Sequence, residues 1–127
     1  MKTVLIIEDN LKNMKLTSDL LEVKGYAVLT ADNAEAGLTL AAEHLPDLIL
    51  MDIQMPEMDG LETTRKIAER LPADARPVIV AVTANALPGD REKYIEAGMD
   101  DFLAKPFLVK DLSVIIRKWS KKPTSTI

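Results

Sequence analysis

Four short apolar segments of the sequence each end directly on a polar residue, and this pattern limits the fold more than any other feature. The segments cover residues 4–7, 48–51, 78–82 and 102–104, and they are followed by Glu8, Asp52, Thr83 and Lys105. Apolar runs of this length without helical spacing predict strands that are buried on both faces. If the strands are parallel, all four polar endings lie at one edge of one sheet.

The segments between these strands carry helical patterns. One more, less apolar strand is predicted at about 26–30, which makes it the second of five in chain order. Helices are predicted at about 11–24, 33–45, 60–71, 87–97 and 108–120. Strands that alternate with helices over short links specify a parallel sheet covered on both faces. We therefore predict an α/β fold, the flavodoxin-like (βα)5 doubly wound sheet with strand order 2-1-3-4-5.

Helix boundaries and buried faces follow from local patterns. In the first helix Leu11, Met14 and Leu21 recur at helical spacing and are expected to face the sheet. Asp32 and Glu35 have the spacing of a capping box, which predicts that Asp32 begins the second helix. Its buried stripe is expected to comprise residues 38, 41 and 45.

Length and composition define the class of protein. The chain has 127 residues, which suits one domain, predicted over 1–121 with a flexible tail at 122–127. Cysteine is absent, so disulfides, thiolate nucleophiles and Cys-based zinc sites are excluded. No apolar run approaches the roughly 18 residues of a membrane span, and the net charge of −4 disfavours a nucleic-acid surface. We expect a cytoplasmic protein that binds neither membrane nor nucleic acid.

The acidic endings of the first and third strands predict a metal site. Glu8, Asp9 and Asp52 would repel one another if they were brought within a few ångströms, and a hard divalent cation would relieve that repulsion. Mg²⁺ prefers oxygen ligands and keeps several waters, so carboxylates and the backbone carbonyl of Gln54 would form an open site. Mn²⁺ is the alternative ion.

The remaining polar endings suit phosphoryl transfer. Lys105 supplies a positive charge, while the Thr83 hydroxyl and the backbone N–H of Ala84 supply neutral donors around the Asp52 carboxylate. Asp52 is then the nucleophile, and the product is an aspartyl phosphate. Because the sequence contains no nucleotide-binding glycine loop, the phosphoryl group is expected to come from another molecule.

These residues resemble a known family. Glu8-Asp9 after the first strand, Asp52 within MDIQMPEMDG, Thr83-Ala84 after the fourth strand and Lys105-Pro106-Phe107 after the fifth are similar to the receiver domain of two-component response regulators. The resemblance covers about residues 3–120. It implies a phosphoacceptor switch rather than an enzyme, with only self-catalysed phosphotransfer and dephosphorylation.

The resemblance also implies a role for each site residue. Asp52 would accept phosphate from a phosphohistidine on a histidine kinase or a histidine phosphotransfer protein, and Lys105 would contact the phosphoryl group. Asp9 and Asp52 would bind Mg²⁺ directly, and Glu8 would reach it through water. Thr83 would move toward the phosphoryl oxygen, and Phe102 would turn inward as the switch aromatic. The expected output is phosphorylation-dependent binding to a downstream kinase or adaptor protein.

Three other interpretations are less well supported. The chain could be a receiver segment of a hybrid histidine kinase, although its start at Met1 and its short tail favour a free-standing regulator. A haloacid dehalogenase-like phosphatase also uses an aspartyl nucleophile, but it requires an acid two residues later, where this chain has Gln54. A flavodoxin-like cofactor binder would place its phosphate beside Glu8 and Asp9, which would repel it.

Overall fold

The computed structural model describes residues 3–53, 60–83, 89–96, 98–104 and 109–120. Five strands alternate with five helices along the chain. In order, the elements are β1 (Thr3–Ile7), α1 (Leu11–Val23), β2 (Ala27–Ala31), α2 (Ala34–His44), β3 (Leu48–Asp52), α3 (Gly60–Arg70), a 3-10 turn (Ala73–Ala75), β4 (Val78–Thr83), α4 (Asp90–Glu96), β5 (Asp101–Ala104) and α5 (Val109–Ser120).

The strands form one parallel sheet in the order β2-β1-β3-β4-β5. This order confirms the predicted topology, including β2 at an edge. The chain adds β2 on one side of β1 and then crosses to the other side for β3. The crevice between the carboxyl ends of β1 and β3 is therefore the point at which open α/β sheets bind ligands.

The core consists of two layers, one on each face of the sheet. One layer contains alternate residues of β1, β3 and β4 packed against α2, α3 and Tyr94 of α4. The other contains the intervening strand residues packed against α1 and α5, including Leu21, Leu112 and Ile116. Burial on both faces explains why the central strands are apolar throughout their interiors rather than at alternate positions, with polar residues only at their ends.

Two predictions about buried helical residues are wrong. Leu11 begins α1 but is 68% exposed, whereas Leu21 near the other end of that helix is fully buried. Leu45 is also exposed, because it lies beyond α2 in the left-handed conformation, with φ 47°. Its N–H still donates to the carbonyl of Ala41. The helical conformation is disfavoured before Pro46, so the chain leaves the helix at Leu45.

The start of α2 also differs by one residue from the prediction. Asn33, not Asp32, is the N-cap, since its side-chain oxygen accepts the N–H of Ala36 at 2.8 Å. Helix α4 begins at Asp90, later than predicted, while α5 is described from Val109 and its predicted start at residue 108 lies outside the described residues. The predicted tail at 122–127 lies outside the described part of the chain. Among the helices described, none combines the length and the apolar character needed to span a bilayer.

Candidate metal and phosphoacceptor site

Sheet register brings two acids together at the crevice. Ile7 of β1 is paired with Met51 of β3, so Glu8 and Asp52 follow immediately after the same pair. Both side chains are almost completely buried, with 6% and 5% of their surface exposed. Asp52 is held within the sheet, because the next residue, Ile53, donates its N–H to the carbonyl of Val82 at 3.1 Å.

Asp9 completes a cluster of three carboxylates. Glu8, Asp9 and Asp52 each offer an oxygen, and these oxygens lie within 4.8 Å of one another. Asp9 is exposed, unlike the other two, so the cluster opens to solvent on one side. Three negative charges at this spacing repel one another.

The donor set of this cluster fits a single Mg²⁺ ion. Oxygen-only ligands suit a hard cation, and carboxylate oxygens within 4.8 Å of one another can be reached by one ion either directly or through its water ligands. The exposed side at Asp9 leaves room for the water ligands that Mg²⁺ retains. A cation would also offset the mutual repulsion of the carboxylates. The cluster can therefore hold a divalent ion and leave coordination positions open.

Two further predicted residues lie in the described part of the chain. Thr83 ends β4 one residue beyond Val82, which is paired with Asp52, so it lies at the same edge of the sheet and is buried. Phe102 is half-buried on the face of the sheet that carries α4. Its ring lies 6.3 Å from the ring of Tyr94, tilted by 59°.

Three predicted site residues lie outside the described residues. These are Gln54, Ala84 and Lys105, with their expected roles as carbonyl ligand, amide donor and phosphoryl contact. Their roles stay predictions. The structure thus brings the acidic half of the predicted site together and places Thr83 at the same edge of the sheet, whereas Phe102 lies on β5, beyond β4.

Sequence reasoning gave no role to Asn10, which the structure places between the acids and α1. Its side-chain oxygen accepts the N–H of Asn13 at 3.1 Å, and its own N–H donates to the carboxylate of Glu8 at 3.1 Å. Asparagine is a favoured helix N-cap, and this residue directly precedes a helical pattern. That preference was the signal in the sequence that could have identified it.

Known proteins provide an independent comparison. Residues 4–117 match the family model of the response regulator receiver domain. The polar-differentiation response regulator DivK of Brucella anthropi is 47% identical over 108 residues, which cover 85% of this chain and 87% of that protein. The DivK protein of Brucella ovis is 46% identical over the same lengths.

Solved structures agree with these sequence matches. The receiver domain of the sensor histidine kinase PA1611 from Pseudomonas aeruginosa, solved with a magnesium ion coordinated in its active-site cleft, is 37% identical with a TM-score of 0.84 over 95% of this chain and 98% of that one. The chemotaxis protein CheY4 of Vibrio cholerae is 25% identical with a TM-score of 0.85, over 93% and 98% of the two chains. The chain therefore belongs to the response regulator receiver domain family.

Proposed function

We propose that this receiver domain accepts a phosphoryl group on Asp52 from a phosphohistidine donor in a Mg²⁺-dependent reaction, and that phosphorylation changes its binding to other proteins. The observation that carries the proposal is the buried Asp52 carboxylate at the end of β3, within 4.8 Å of two further carboxylates. Receiver domains act as phosphoacceptor switches, and histidine kinases are the partners that the family implies.

In the proposed reaction an oxygen of Asp52 attacks the phosphorus of the phosphohistidine. The new O–P bond forms as the N–P bond breaks, and the imidazole leaves and takes up a proton. Mg²⁺, when bound, neutralises charge on the transferred phosphoryl group. Asp9 and Asp52 are its proposed direct protein ligands, together with the carbonyl of Gln54, and Glu8 acts through water.

Other residues have proposed roles around the phosphoryl group. Lys105 pairs with its charge, Ala84 donates its backbone N–H, and the Thr83 hydroxyl moves toward it. Support for Thr83 comes from its burial at the same sheet edge as Asp52. Phe102 is the proposed switch aromatic, and its contact with Tyr94 gives it a route to α4. A downstream kinase or adaptor protein is the proposed output partner.

The DivK likeness favours a regulator over a segment of a hybrid kinase. The DivK relatives are 46–47% identical over 87% of their length, compared with 37% for the receiver of a sensor kinase. No observation on the described residues favours Mn²⁺, so the proposal names Mg²⁺. The cytoplasmic location remains a prediction.

The test is acyl-phosphate formation on Asp52. Incubation of the wild-type protein with Mg²⁺ and acetyl phosphate should add one phosphoryl group, measured by intact-protein mass spectrometry and removed by hydroxylamine. Asp52→Asn should abolish the addition, because the amide lacks the nucleophilic carboxylate. EDTA should also abolish it.

The matched control is Asp74→Asn, which removes an exposed acid in the 3-10 turn and should be phosphorylated like wild type. Undiminished phosphorylation of Asp52→Asn would show that the nucleophile is a different residue.

A further inference from the structure

Within the described residues, no contact fixes the carboxylate of Asp9. Its side chain is exposed, and within the described part of the chain it makes no hydrogen bond or ion pair. Its oxygen nevertheless lies within 4.8 Å of those of Glu8 and Asp52. The position of Asp9 must therefore come from its backbone, and so from the residues on either side of it.

On one side, Glu8 is fixed to the sheet. Its backbone N–H donates to the carbonyl of Ala31 on β2 at 3.0 Å, which extends the ladder of β1 by one residue. Its carboxylate also accepts the N–H of Asn10 at 3.1 Å, across Asp9. This bond closes a short turn around Asp9.

On the other side, Asn10 is fixed to helix α1. Its side-chain oxygen accepts the N–H of Asn13 at 3.1 Å, and its carbonyl accepts the N–H of Met14 at 2.9 Å. The first bond satisfies a helix donor that would otherwise lack an intrahelical partner. The Asn10 side chain thus joins the turn around Asp9 to the first turn of α1.

We propose that Asn10 is a positioning residue for the metal site, and that its side-chain cap holds the turn in which Asp9 presents its carboxylate beside Asp52. This inference rests on the proposed function, since it assumes that the cluster binds Mg²⁺. Asn10 is not proposed as a metal ligand, because its side-chain oxygen is engaged by Asn13. Loss of the cap would leave Asp9 more conformations, which must be given up when Mg²⁺ binds.

The experiment measures Mg²⁺ affinity without phosphorylation. MgCl₂ is titrated into uniformly ¹⁵N-labelled protein, and the dissociation constant is obtained from amide chemical shifts. Asn10→Ala should raise this constant about tenfold, as loss of supporting hydrogen bonds around metal ligands does. Asn10→Ser should restore most of the affinity, because a serine hydroxyl can cap the same N–H.

Asn33→Ala is a matched control. Asn33 caps α2 in the same way, with its side-chain oxygen accepting the N–H of Ala36 at 2.8 Å, but it does not adjoin the acidic cluster. The two alanine variants should lower the urea midpoint to a similar extent. Only Asn10→Ala should weaken Mg²⁺ binding.

The outcomes separate the two proposals. Equal Mg²⁺ affinity in Asn10→Ala and wild type, or equal weakening in Asn33→Ala, would overturn the role of Asn10 while leaving the metal site in place. A wild-type protein whose spectrum does not respond to MgCl₂ would overturn the metal site itself, and the role of Asn10 with it. Faster hydrogen exchange of the Asn13 amide in metal-free Asn10→Ala is the expected companion result.

Discussion

At Gly37, helix α2 approaches strand β1 too closely for a side chain. A Cβ atom built at this position would lie 2.6 Å from Cδ1 and 2.9 Å from Cγ1 of Ile7. Ile7 has little space in which to move, because it is fully buried. It also directly precedes Glu8 of the acidic cluster. Glycine here is a packing requirement that is located beside the acidic site.

We expect Gly37→Ala to destabilise the protein. Overpacking a buried contact costs roughly 1–3 kcal/mol, whereas replacing glycine inside a helix gains about 1 kcal/mol. The expected net loss in the free energy of unfolding is about 1 kcal/mol, measured by urea denaturation.

The control for this prediction shortens the residue that is contacted. Ile7→Val removes Cδ1, so Gly37→Ala should cost less in that background than in wild type. Equal costs in the two backgrounds would mean that the close contact with Ile7 is not the cause.

The roles of some single residues could be predicted from the sequence, and those of others could not. Glu8, Asp9 and Asp52 were predicted together because a strand that is buried on both faces can place a charge only where it ends. Asn33 was missed as a cap because Asp32 beside it is an equally good capping residue. The exposure of Leu11 was missed because helical periodicity does not report how far the neighbouring elements extend over a helix.

Strand β5 and helix α5 are joined by the buried carboxylate of Asp101. This residue is 3% exposed, and its carboxylate accepts the N–H of Phe102 at 2.9 Å. The indole N–H of Trp119 and the Nζ of Lys118, both in the last turns of α5, donate to its other oxygen at 3.1 Å. Burial alone would raise the pKa of Asp101, but these hydrogen bonds and the charge of Lys118 outweigh it and hold the pKa below the ordinary value.

Because folding lowers the pKa of Asp101, the stability of the protein depends on pH. A carboxyl group whose pKa is lowered by folding stabilises the protein fully above its unfolded pKa of about 3.9, and the stabilisation is lost as pH falls through the folded value. Asp101→Asn should lower the free energy of unfolding by about 2 kcal/mol at neutral pH, chiefly through poorly satisfied buried donors. The ion pair itself adds little, since Lys118 is half-exposed.

Urea denaturation of both proteins at several pH values, followed by Trp119 fluorescence, measures this difference. The difference in the free energy of unfolding between wild type and Asp101→Asn should shrink as pH falls below about 3.9, because wild-type Asp101 then becomes protonated. Asp19→Asn, which breaks an exposed ion pair with Lys15 on α1, should change stability little at any pH. If Asp101→Asn stays equally less stable than wild type in acid, the ionised carboxylate of Asp101 is not the source of the difference.

Among the residues that the structure describes, three like charges lie together at one edge of the sheet. Asp9 lacks a partner in the described residues, so its charge mainly repels those of Glu8 and Asp52. Repulsion among these charges opposes folding when no divalent ion is bound. The acidic site and the stability of the fold are linked by that repulsion.

We expect Asp9→Asn to stabilise the metal-free protein. Removing one charge about 5 Å from another, with screening close to that of water, should raise the free energy of unfolding by about 1 kcal/mol in EDTA. Mg²⁺ at ten times its dissociation constant should stabilise wild type by about 1.4 kcal/mol and the variant by less. The stability gap should therefore narrow or reverse on adding Mg²⁺.

Urea denaturation in EDTA and in MgCl₂ measures both effects. Glu22→Gln, which removes an exposed acid on α1, should match wild type in both conditions. An Asp9→Asn protein that is less stable than wild type in EDTA would contradict repulsion within the cluster.

At the scale of the whole molecule, topology was the most predictable property. Continuous apolar strands alternating with amphipathic helices leave few arrangements once crossovers are right-handed, and the observed order β2-β1-β3-β4-β5 is among them. The contacts of Asp101 were not predictable in the same way. They depend on how the end of α5 crosses β5, and no local pattern specifies that geometry.

Strand β5 forms an outer border of the sheet, where a strand from another molecule could in principle be added. The Phe102 N–H of this border is already bonded to Asp101, whose carboxylate also receives Lys118 and Trp119. A chain that extended the sheet at this point would have to displace the Asp101 carboxylate from the Phe102 N–H. The same carboxylate therefore disfavours the addition of a foreign strand at Phe102.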